Sequence, residues 1–492
     1  MIRRVRPSMA TVGTPNSEAR SYGRRASLLS IGVGLTGLIT YLFFAIASHE
    51  LSREDYGQVA VLWSAVFIVV SVLQRPVEQL LSRTISENLA RGTPLGRTVR
   101  IAATIQFGVA VGFDAIALAL RGPIEDGLLD GNSTLYWIGV AAITAYGASY
   151  FARGFLAGSH RLTLYALLII SESISRTAFP MAVALGIASG QTAVALGIVA
   201  APTLSLVVVP FAFLRKSAVS GAGGLGGPAG TPAEAPTGPT ETGDVSHERP
   251  PAAPPTAHPP GDFTLAEGGG FAAAVFLIML SEQTILNAGP LIVNATAGAA
   301  AAGLIFNILM IARAPMQLFQ AVSTSLLPHL TRLGSHGQEA DFRASVRVTI
   351  LAIAGFAGVV VAAMLIAGPE LMQIAFGEKH TYERADLVIV SVGMGLYLSA
   401  ATLNQAALAR GEVRRASVCW IACAVAFIVW TSIPIVGDDF NRVEIGYLGT
   451  ASLLCGLLWW LYRQPLLVGE ERVRPGSTEE LELQLAAADE GT

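Results

Sequence analysis

Gly221-Ala-Gly-Gly-Leu-Gly-Gly-Pro228 and Pro250-Pro-Ala-Ala-Pro-Pro-Thr-Ala-His-Pro-Pro260 lie in a stretch, 217 to 266, that has almost no large apolar side chains. Such a segment cannot bury enough apolar surface to offset the entropy of ordering it, so it reads as a disordered linker. Its position decides the architecture, because apolar blocks flank it on both sides. Before it they run over 27 to 47, 58 to 74, 101 to 120, 134 to 154, 163 to 187 and 191 to 214. After it they run over 269 to 290, 297 to 320, 346 to 367, 386 to 409, 416 to 436 and 446 to 462. Each is near the roughly 20 residues that a helix needs to cross about 30 Å of hydrocarbon. The block 163 to 187 is interrupted by Glu172, Arg176 and Pro180. An even number of crossings in each half brings both halves into the membrane in the same sense. The expectation is an all-α integral membrane protein of about 12 transmembrane helices in two parallel six-helix lobes.

The implied plan is an N-terminal tail (1–26), a first lobe (27–215), the linker (216–266), a second lobe (267–463) and a C-terminal tail (464–492). Composition agrees, since 52% of the chain is hydrophobic and only 14% charged, too few charges to cover a water-soluble body of 492 residues. The net charge of −3 hides an asymmetry that sets orientation. With the N-terminus inside, the inner segments hold 22 of the 32 Lys and Arg, among them Arg24, Arg25, Arg75, Arg91, Arg97, Arg153, Arg161, Arg343 and Arg414. The outer loops hold Arg53, Arg121, Lys379, Arg384 and Arg442, set among acids such as Glu54, Asp55, Asp126, Asp438 and Asp439. The positive-inside rule therefore places both termini in the cytoplasm. The first apolar block follows a polar tail and is long enough to span, so it reads as a retained helix and not a cleaved signal. Cys419, Cys423 and Cys455 fall in apolar blocks and read as buried thiols.

A weak internal repeat supports the division. Gly57 to Gly92 spans a helix, an amphipathic stretch and a basic loop, and Gly303 to Gly337 spans the same elements over nearly the same distance. Phe155-Leu-Ala-Gly-Ser-His-Arg-Leu and Leu408-Ala-Arg-Gly-Glu-Val-Arg-Arg close one helix and open the next at corresponding places. Gly32-Val-Gly-Leu-Thr-Gly37 has the spacing of a dinucleotide fingerprint, but no strand precedes it and no ribose-binding acid follows. Small residues at this spacing instead let membrane helices approach closely. Asn132-Ser-Thr and Asn294-Ala-Thr match a glycosylation acceptor only as short patterns. No Walker motif, zinc site or nucleophile triad is evident, so the expectation is a protein that is not an enzyme, uses no metal or cofactor and binds no nucleic acid.

The informative residues are the ionisable ones within the apolar blocks, since a charge at the bilayer centre costs at least about 2.5–3.5 kcal/mol. They are Asp114, Glu172, Arg176, Glu282 and Arg313. Asp114 lies toward the outer end of its block, within reach of the headgroups. Glu172 and Arg176 have the i,i+4 order that lets carboxylate and guanidinium meet on one face, either as a self-neutralising structural pair or as part of a transport path. A self-contained pair predicts that reversing both charges is tolerated better than reversing either. Glu282 and Arg313 lie in the seventh and eighth blocks with Gln283, Asn287, Asn307, Gln317 and Gln320. Such a set is costly against lipid and is expected to line an aqueous cavity or the interface between the halves. Arg313 is assigned to the substrate, the alternative being a fixed partner for Glu282. Its planar fork suits a diphosphate.

Three segments carry a family resemblance: Leu51-Ser-Arg-Glu-Asp-Tyr-Gly-Gln, Phe151-Ala-Arg-Gly-Phe-Leu-Ala-Gly, and Ala312-Arg-Ala-Pro-Met-Gln-Leu-Phe-Gln-Ala-Val-Ser-Thr-Ser-Leu-Leu-Pro. With them the chain resembles the polysaccharide exporters of the multidrug/oligosaccharidyl-lipid/polysaccharide (MOP) flippase superfamily. The resemblance implies a V-shaped, MATE/MOP-like pair of lobes that flips a polyprenyl-diphosphate-linked sugar across a bacterial plasma membrane by alternating access. It maps the family's cavity residues onto Arg313 and polar positions of the first, second, seventh and eighth helices. The partners implied are the lipid-linked glycan, the bilayer and cell-envelope glycosyltransferases or a polymerase. Two other readings stand beside it. One is a cation-coupled drug or metabolite antiporter of the same fold, kept open by Glu282. The other is a non-transporting scaffold that recruits cell-envelope enzymes through the linker and the acidic tail at Glu479, Glu480 and Glu482.

Overall fold

The computed structural model describes residues 15–211, 265–311, 339–379, 381–434 and 436–464, with Pro315, Leu326, Leu330 and Leu333 as single positions. Side chains are described from Gly32 in the first segment and from Ala273 in the second. The linker as far as 264, the chain before 15 and the chain after 464 lie outside the described residues.

The first half comprises α1 (Pro15–Glu50), α2 (Arg53–Ala90), α3 (Gly96–Ala119), the short α4 (Arg121–Leu128), α5 (Ser133–Gly158), α6 (Leu162–Ala184) and α7 (Gly190–Ser205). The second comprises α8 (Leu265–Ala297), α9 (Ala299–Ile311 as described), α10 (Glu339–Phe376), α11 (Arg384–Ala409), α12 (Val413–Ser432) and α13 (Asp439–Arg463). No strand occurs among the described residues. Among the described residues eleven helices are long and apolar enough to cross a membrane, and α9 matches the start of the predicted block 297 to 320. The chain is a multi-pass membrane protein.

Several helices outrun the apolar blocks that announce them. α2 continues from the predicted end at 74 through Pro76 to Ala90, because its later turns still bury a stripe, Val77, Leu81 and Ile85, at i, i+4 and i+8. That stripe lies against α5, where Gly154 and Gly158 permit contact. A Cβ at Gly154 would meet the Glu78 carbonyl oxygen at 2.8 Å, and one at Gly158 the Ser82 carbonyl oxygen at 2.6 Å. α1 begins at Pro15, not at 27, since a helix can run past the apolar stretch into the interface. Side-chain caps set several starts. Ser52 Oγ accepts from Asp55 N at 3.0 Å at the head of α2, and Asn132 Oδ1 accepts from Leu135 N at 3.1 Å at the head of α5.

The helices form two lobes wired alike. In the first, α1 packs on α6 and α5 on α7; in the second, α8 packs on α12 and α11 on α13. The first and fifth crossings therefore pair as the seventh and eleventh do, as parallel repeats about an axis along the membrane normal require. Gly32 serves close packing, its Cβ position lying 3.2 Å from Ala166 Cβ on α6.

Where the lobes meet, Gly57 of α2 and Gly303 of α9, which open the two copies of the repeat, touch each other. A Cβ on Gly57 would lie 1.8 Å from the Ala299 carbonyl oxygen, and one on Gly303 would lie 3.1 Å from Gly57 Cα. This seam occupies the face remote from the described chain ends, called here the far face; the opposite one is the terminal face. Around it, Tyr56 OH donates to Asn307 Oδ1, Asn307 Nδ2 donates to Tyr382 OH at 3.0 Å, and Ser48 Oγ donates to Phe376 O at 2.6 Å. Lys379 Nζ reaches the carbonyls of His49 and Leu51 at 2.5 and 2.6 Å, and Asn294 Nδ2 donates to Leu128 O at 3.0 Å. The rings of Phe44 and Phe306 pack beneath at a tilt, their centres 4.6 Å apart. The far face is shut.

Gly57→Ala is expected to pry this seam open. Spin labels at exposed Asp126 and Glu378 should report a longer and broader distance by double electron–electron resonance than in the wild type, and an unchanged distance would contradict the seam.

Candidate substrate site in the interlobe cleft

Beneath the seam a group of charges lies at the junction of the lobes. α5 supplies Tyr146, Ser149, Tyr150 and Arg153, at i, i+3, i+4 and i+7, so one helix face presents all four. α6 supplies Glu172 and Arg176, which are 4% and 3% exposed and so are removed from both lipid and water. Glu172 Oε1 accepts from Arg176 Nη2 at 3.0 Å. Its Oε2 accepts from Ser149 Oγ at 3.1 Å and from Arg153 Nη2. Arg176 also donates to Tyr146 OH at 2.9 Å and Thr40 Oγ1 at 3.3 Å, and its guanidinium lies 4.6 Å from the centre of the Trp63 ring.

The predicted Glu172–Arg176 pair is thus real but not self-contained, for Arg153 is a third member. The carboxylate bridges two guanidinium groups from two helices, which in a low-dielectric interior holds α5 and α6 together and leaves the trio with one positive charge in excess.

The cleft itself is lined from both lobes. Arg75 of α2 is half-buried, within hydrogen-bonding reach of the Tyr150 hydroxyl and flanked by Glu78 of its own helix and Glu282 of α8. Tyr165 OH donates to Glu78 Oε1 at 3.0 Å. Glu282 lies near the Tyr397 hydroxyl on α11, a buried group with no hydrogen-bond partner among the described residues. Arg75 and Glu282 therefore sit as opposite charges on the two sides of the junction, near enough to feel each other without a direct ion pair. Arg153 lies close by, its guanidinium 4.4 Å from the centre of the Tyr150 ring, with a buried Nε that has no acceptor.

The residues singled out in the sequence distribute unevenly around this site. Glu282 lies in the cleft, and its neighbours there are Arg75 and Tyr397. Arg313 and Gln317, with Gln320, lie outside the described residues. Gln283 and Asn287 are buried and satisfy each other, Asn287 Nδ2 donating to Gln283 Oε1 at 2.9 Å. Asn307 belongs to the far-face seam. Asp114 accepts from Thr144 Oγ1 of α5 at 2.9 Å, so it is held within the lobe. Cys423 is buried, and Cys419 and Cys455 are half-buried free thiols. Asn132 is occupied as a helix cap.

Arg75, Glu78, Arg153 and Tyr397 carry the cleft and were not singled out. Arg75 and Arg153 sit at the ends of apolar blocks and were counted among loop charges. The continuation of α2 past Pro76 puts them inside, and the amphipathic stretch after residue 74 was the signal for it. Among the described residues no group of three or more His, Cys, Asp and Glu side chains converges to hold a metal ion.

No family model matches the chain, and no match was found among curated proteins. Solved structures do match. An inward-facing multidrug resistance MATE family transporter of the MOP superfamily aligns with a TM-score of 0.63 at 10% identity, covering 88% of this chain and 97% of its own. A mutant of the Vibrio cholerae MATE transporter VcmN aligns at 0.56 and 14% identity, covering 90% and 97%. The eukaryotic MATE transporter AtDTX14 aligns at 0.58 and 12% identity, covering 90% and 95%.

Glu172→Ala leaves Arg153 and Arg176 buried without their counter-ion, which is expected to cost about 3–5 kcal/mol and to lower the melting temperature in detergent. Exchanging the two residues, Glu172→Arg with Arg176→Glu, is not expected to restore stability, because an arginine at 172 would face Arg153. Full recovery in the exchanged variant would return Glu172 and Arg176 to a closed pair. The two-lobe architecture, the wiring of its crossings and the structural matches together give this chain the fold of the MATE transporters of the MOP superfamily.

Proposed function

We propose that this protein is a membrane transporter that moves a lipid-linked oligosaccharide or polysaccharide precursor across the bacterial plasma membrane by alternating access. The observation that carries the reading is the pair Arg75 and Arg153, half-buried at the lobe junction with Tyr150 between them. A diphosphate brought into this cleft meets guanidinium forks that can each donate two parallel hydrogen bonds, in surroundings where charge–charge attraction is little screened. Glu282 then acts as a stand-in anion. Its charge offsets that of Arg75 while the cleft is empty, and an entering anionic substrate takes over that role, which weakens the attraction across the junction and lets the lobes rearrange.

The lipid tail has a place as well. A cavity of about 670 Å³ lies beside α1, lined by Leu38, Leu42, Ala45, Met181 and Ile374, with His49 and Glu50 near the far-face end of the helix. In this reading the terminal face is the cytoplasmic one, in keeping with Arg91, Arg97, Arg161 and Arg414 near it. A shut far face then corresponds to the state that receives a precursor assembled inside the cell. Cell-envelope glycosyltransferases or a polymerase would deliver to it, and Arg313, where it enters the cleft, would join the basic pair.

A cation-coupled antiporter of drugs or metabolites is the second reading. The printed names of the structural matches favour it, since one is a multidrug resistance transporter. Binding separates the two readings. Purified Arg75→Ala is expected to bind a polyprenyl-diphosphate glycan at least about tenfold more weakly than wild type, the worth of charge-assisted bonds of about 1.5–3 kcal/mol. Arg75→Lys should fall between them, because it keeps the charge and loses the fork. Native mass spectrometry reads the affinities, and undiminished binding by Arg75→Ala would remove this residue from the substrate site.

A further inference from the structure

At the far end of the second lobe, away from the cleft, Glu444 lies in the second turn of α13. It is 0% exposed, and neither carboxyl oxygen has a hydrogen-bond donor. What faces it is another acid. Asp386, in the first turn of α11, is within hydrogen-bonding reach of Glu444, with Glu383 and Asp438 behind them.

The nearby cation is engaged elsewhere. Arg442 pairs with Asp439 at 2.6 Å and spends its other N–H groups on the carbonyls of Val436, at 3.1 and 3.3 Å, and of Thr431, at 3.4 Å. Of the helices packed at this depth, α10 brings Glu370, which pairs at 3.7 Å with Arg384 at the head of α11, and α12 and α8 bring no charge. α12 contributes 427 to 432, held by Trp430 Nε1 on Arg442 O at 2.9 Å, and α8 contributes 288 to 297, with Gly289 against Val443. One turn deeper Tyr447 packs its ring on Tyr397.

Two ionised carboxylates are both acceptors and cannot hydrogen-bond to each other, and a charge on the fully buried Glu444 beside the half-buried Asp386 is costly. One proton resolves both problems. It neutralises one acid and makes it a donor to the other. A metal ion would need more oxygen ligands than this pair supplies, and no three-residue acidic group converges here among the described residues.

We propose that Glu444 and Asp386 share one proton and form a proton-binding site that ties the first turn of α11 to α13 while the far face is shut. The placement makes this consequential. The residues just before α11 carry the far-face clamp: Phe376 accepts from Ser48, Lys379 reaches the carbonyls of His49 and Leu51, and Tyr382 meets Asn307. Loss of the proton leaves two facing carboxylates whose repulsion drives the head of α11 away from α13 and pulls on that clamp. Gain of the proton restores it. The site thus couples proton occupancy to the opening of the far face, whatever substrate the cleft takes.

Infrared difference spectroscopy of the purified full chain, titrated with pH, tests the site without any substrate, so its result is independent of the reading of the cleft. The wild type is expected to show a protonated-carboxyl carbonyl band that Glu444→Gln abolishes, the amide donating to Asp386 in place of the proton. Asp386→Asn should shift the band in frequency, which keeps the test available if Glu444→Gln does not fold. A band that survives Glu444→Gln, or that Asp386→Asn leaves in place, would overturn the proposal. So would the absence of any such band in wild type, and sodium-dependent stabilisation lost in Glu444→Gln would then assign a metal cation to the pair.

Discussion

The contact between Gly57 and the Ala299–Gly303 segment sets the geometry on which the rest depends. Two lobes that must move relative to each other cannot be glued by a large apolar interface, because in a membrane the lipid competes equally well for apolar surface. Close backbone approach solves this differently. It forfeits side-chain volume at one point, brings α2 and α9 together along the pseudo-symmetry axis, and lets a short set of hydrogen bonds from Tyr56, Asn307, Tyr382, Ser48 and Lys379 complete the seal. Such a seal is strong while water is excluded, yet few bonds need to break for it to open. The cleft beneath it inherits its direction of access from that closure.

The charged residues obey the same economy of location. Glu172 and Arg176 are shut inside the first lobe and, with both Glu172 oxygens accepting, brace α5 against α6 through the half-buried Arg153, which also faces the cleft. Arg75 and Glu282 sit on different lobes, are only half-buried and make no direct ion pair, so the charge that faces Arg75 can be exchanged for another anion. The difference between brace and cleft is therefore one of burial and of which bodies the partners belong to, since the residue types are the same.

Much of the architecture was legible in the sequence because membrane burial writes itself in long apolar blocks, and because a Gly- and Pro-rich interruption at 217 to 266 divides them evenly. The repeat beginning at Gly57 and Gly303 was visible, and the structure adds the reason: the two glycines meet. The cleft was less legible. Arg75 and Arg153 stand at block ends, where hydropathy cannot distinguish a loop charge from a charge on a helix that continues, and only the buried stripe Val77, Leu81 and Ile85 marks the continuation. Gln283, Asn287 and Asn307 looked like cavity residues because polarity in an apolar block signals a partner without naming it. Their partners are each other and the far-face seam. The Glu444–Asp386 contact joins residues far apart in sequence near the heads of two helices, where acids ordinarily read as outer-loop charges. Nothing local distinguishes a buried acid there from an exposed one.

The account turns on what enters the cleft. Mass spectrometry of the polyprenyl-linked lipids in cells depleted of this protein, with surface polysaccharide followed in parallel, asks this directly. Accumulation of one lipid-linked glycan together with loss of exported polymer is the expected result. An unchanged lipid profile with export intact would contradict the lipid-linked substrate and leave a transporter of the same fold with a different cargo.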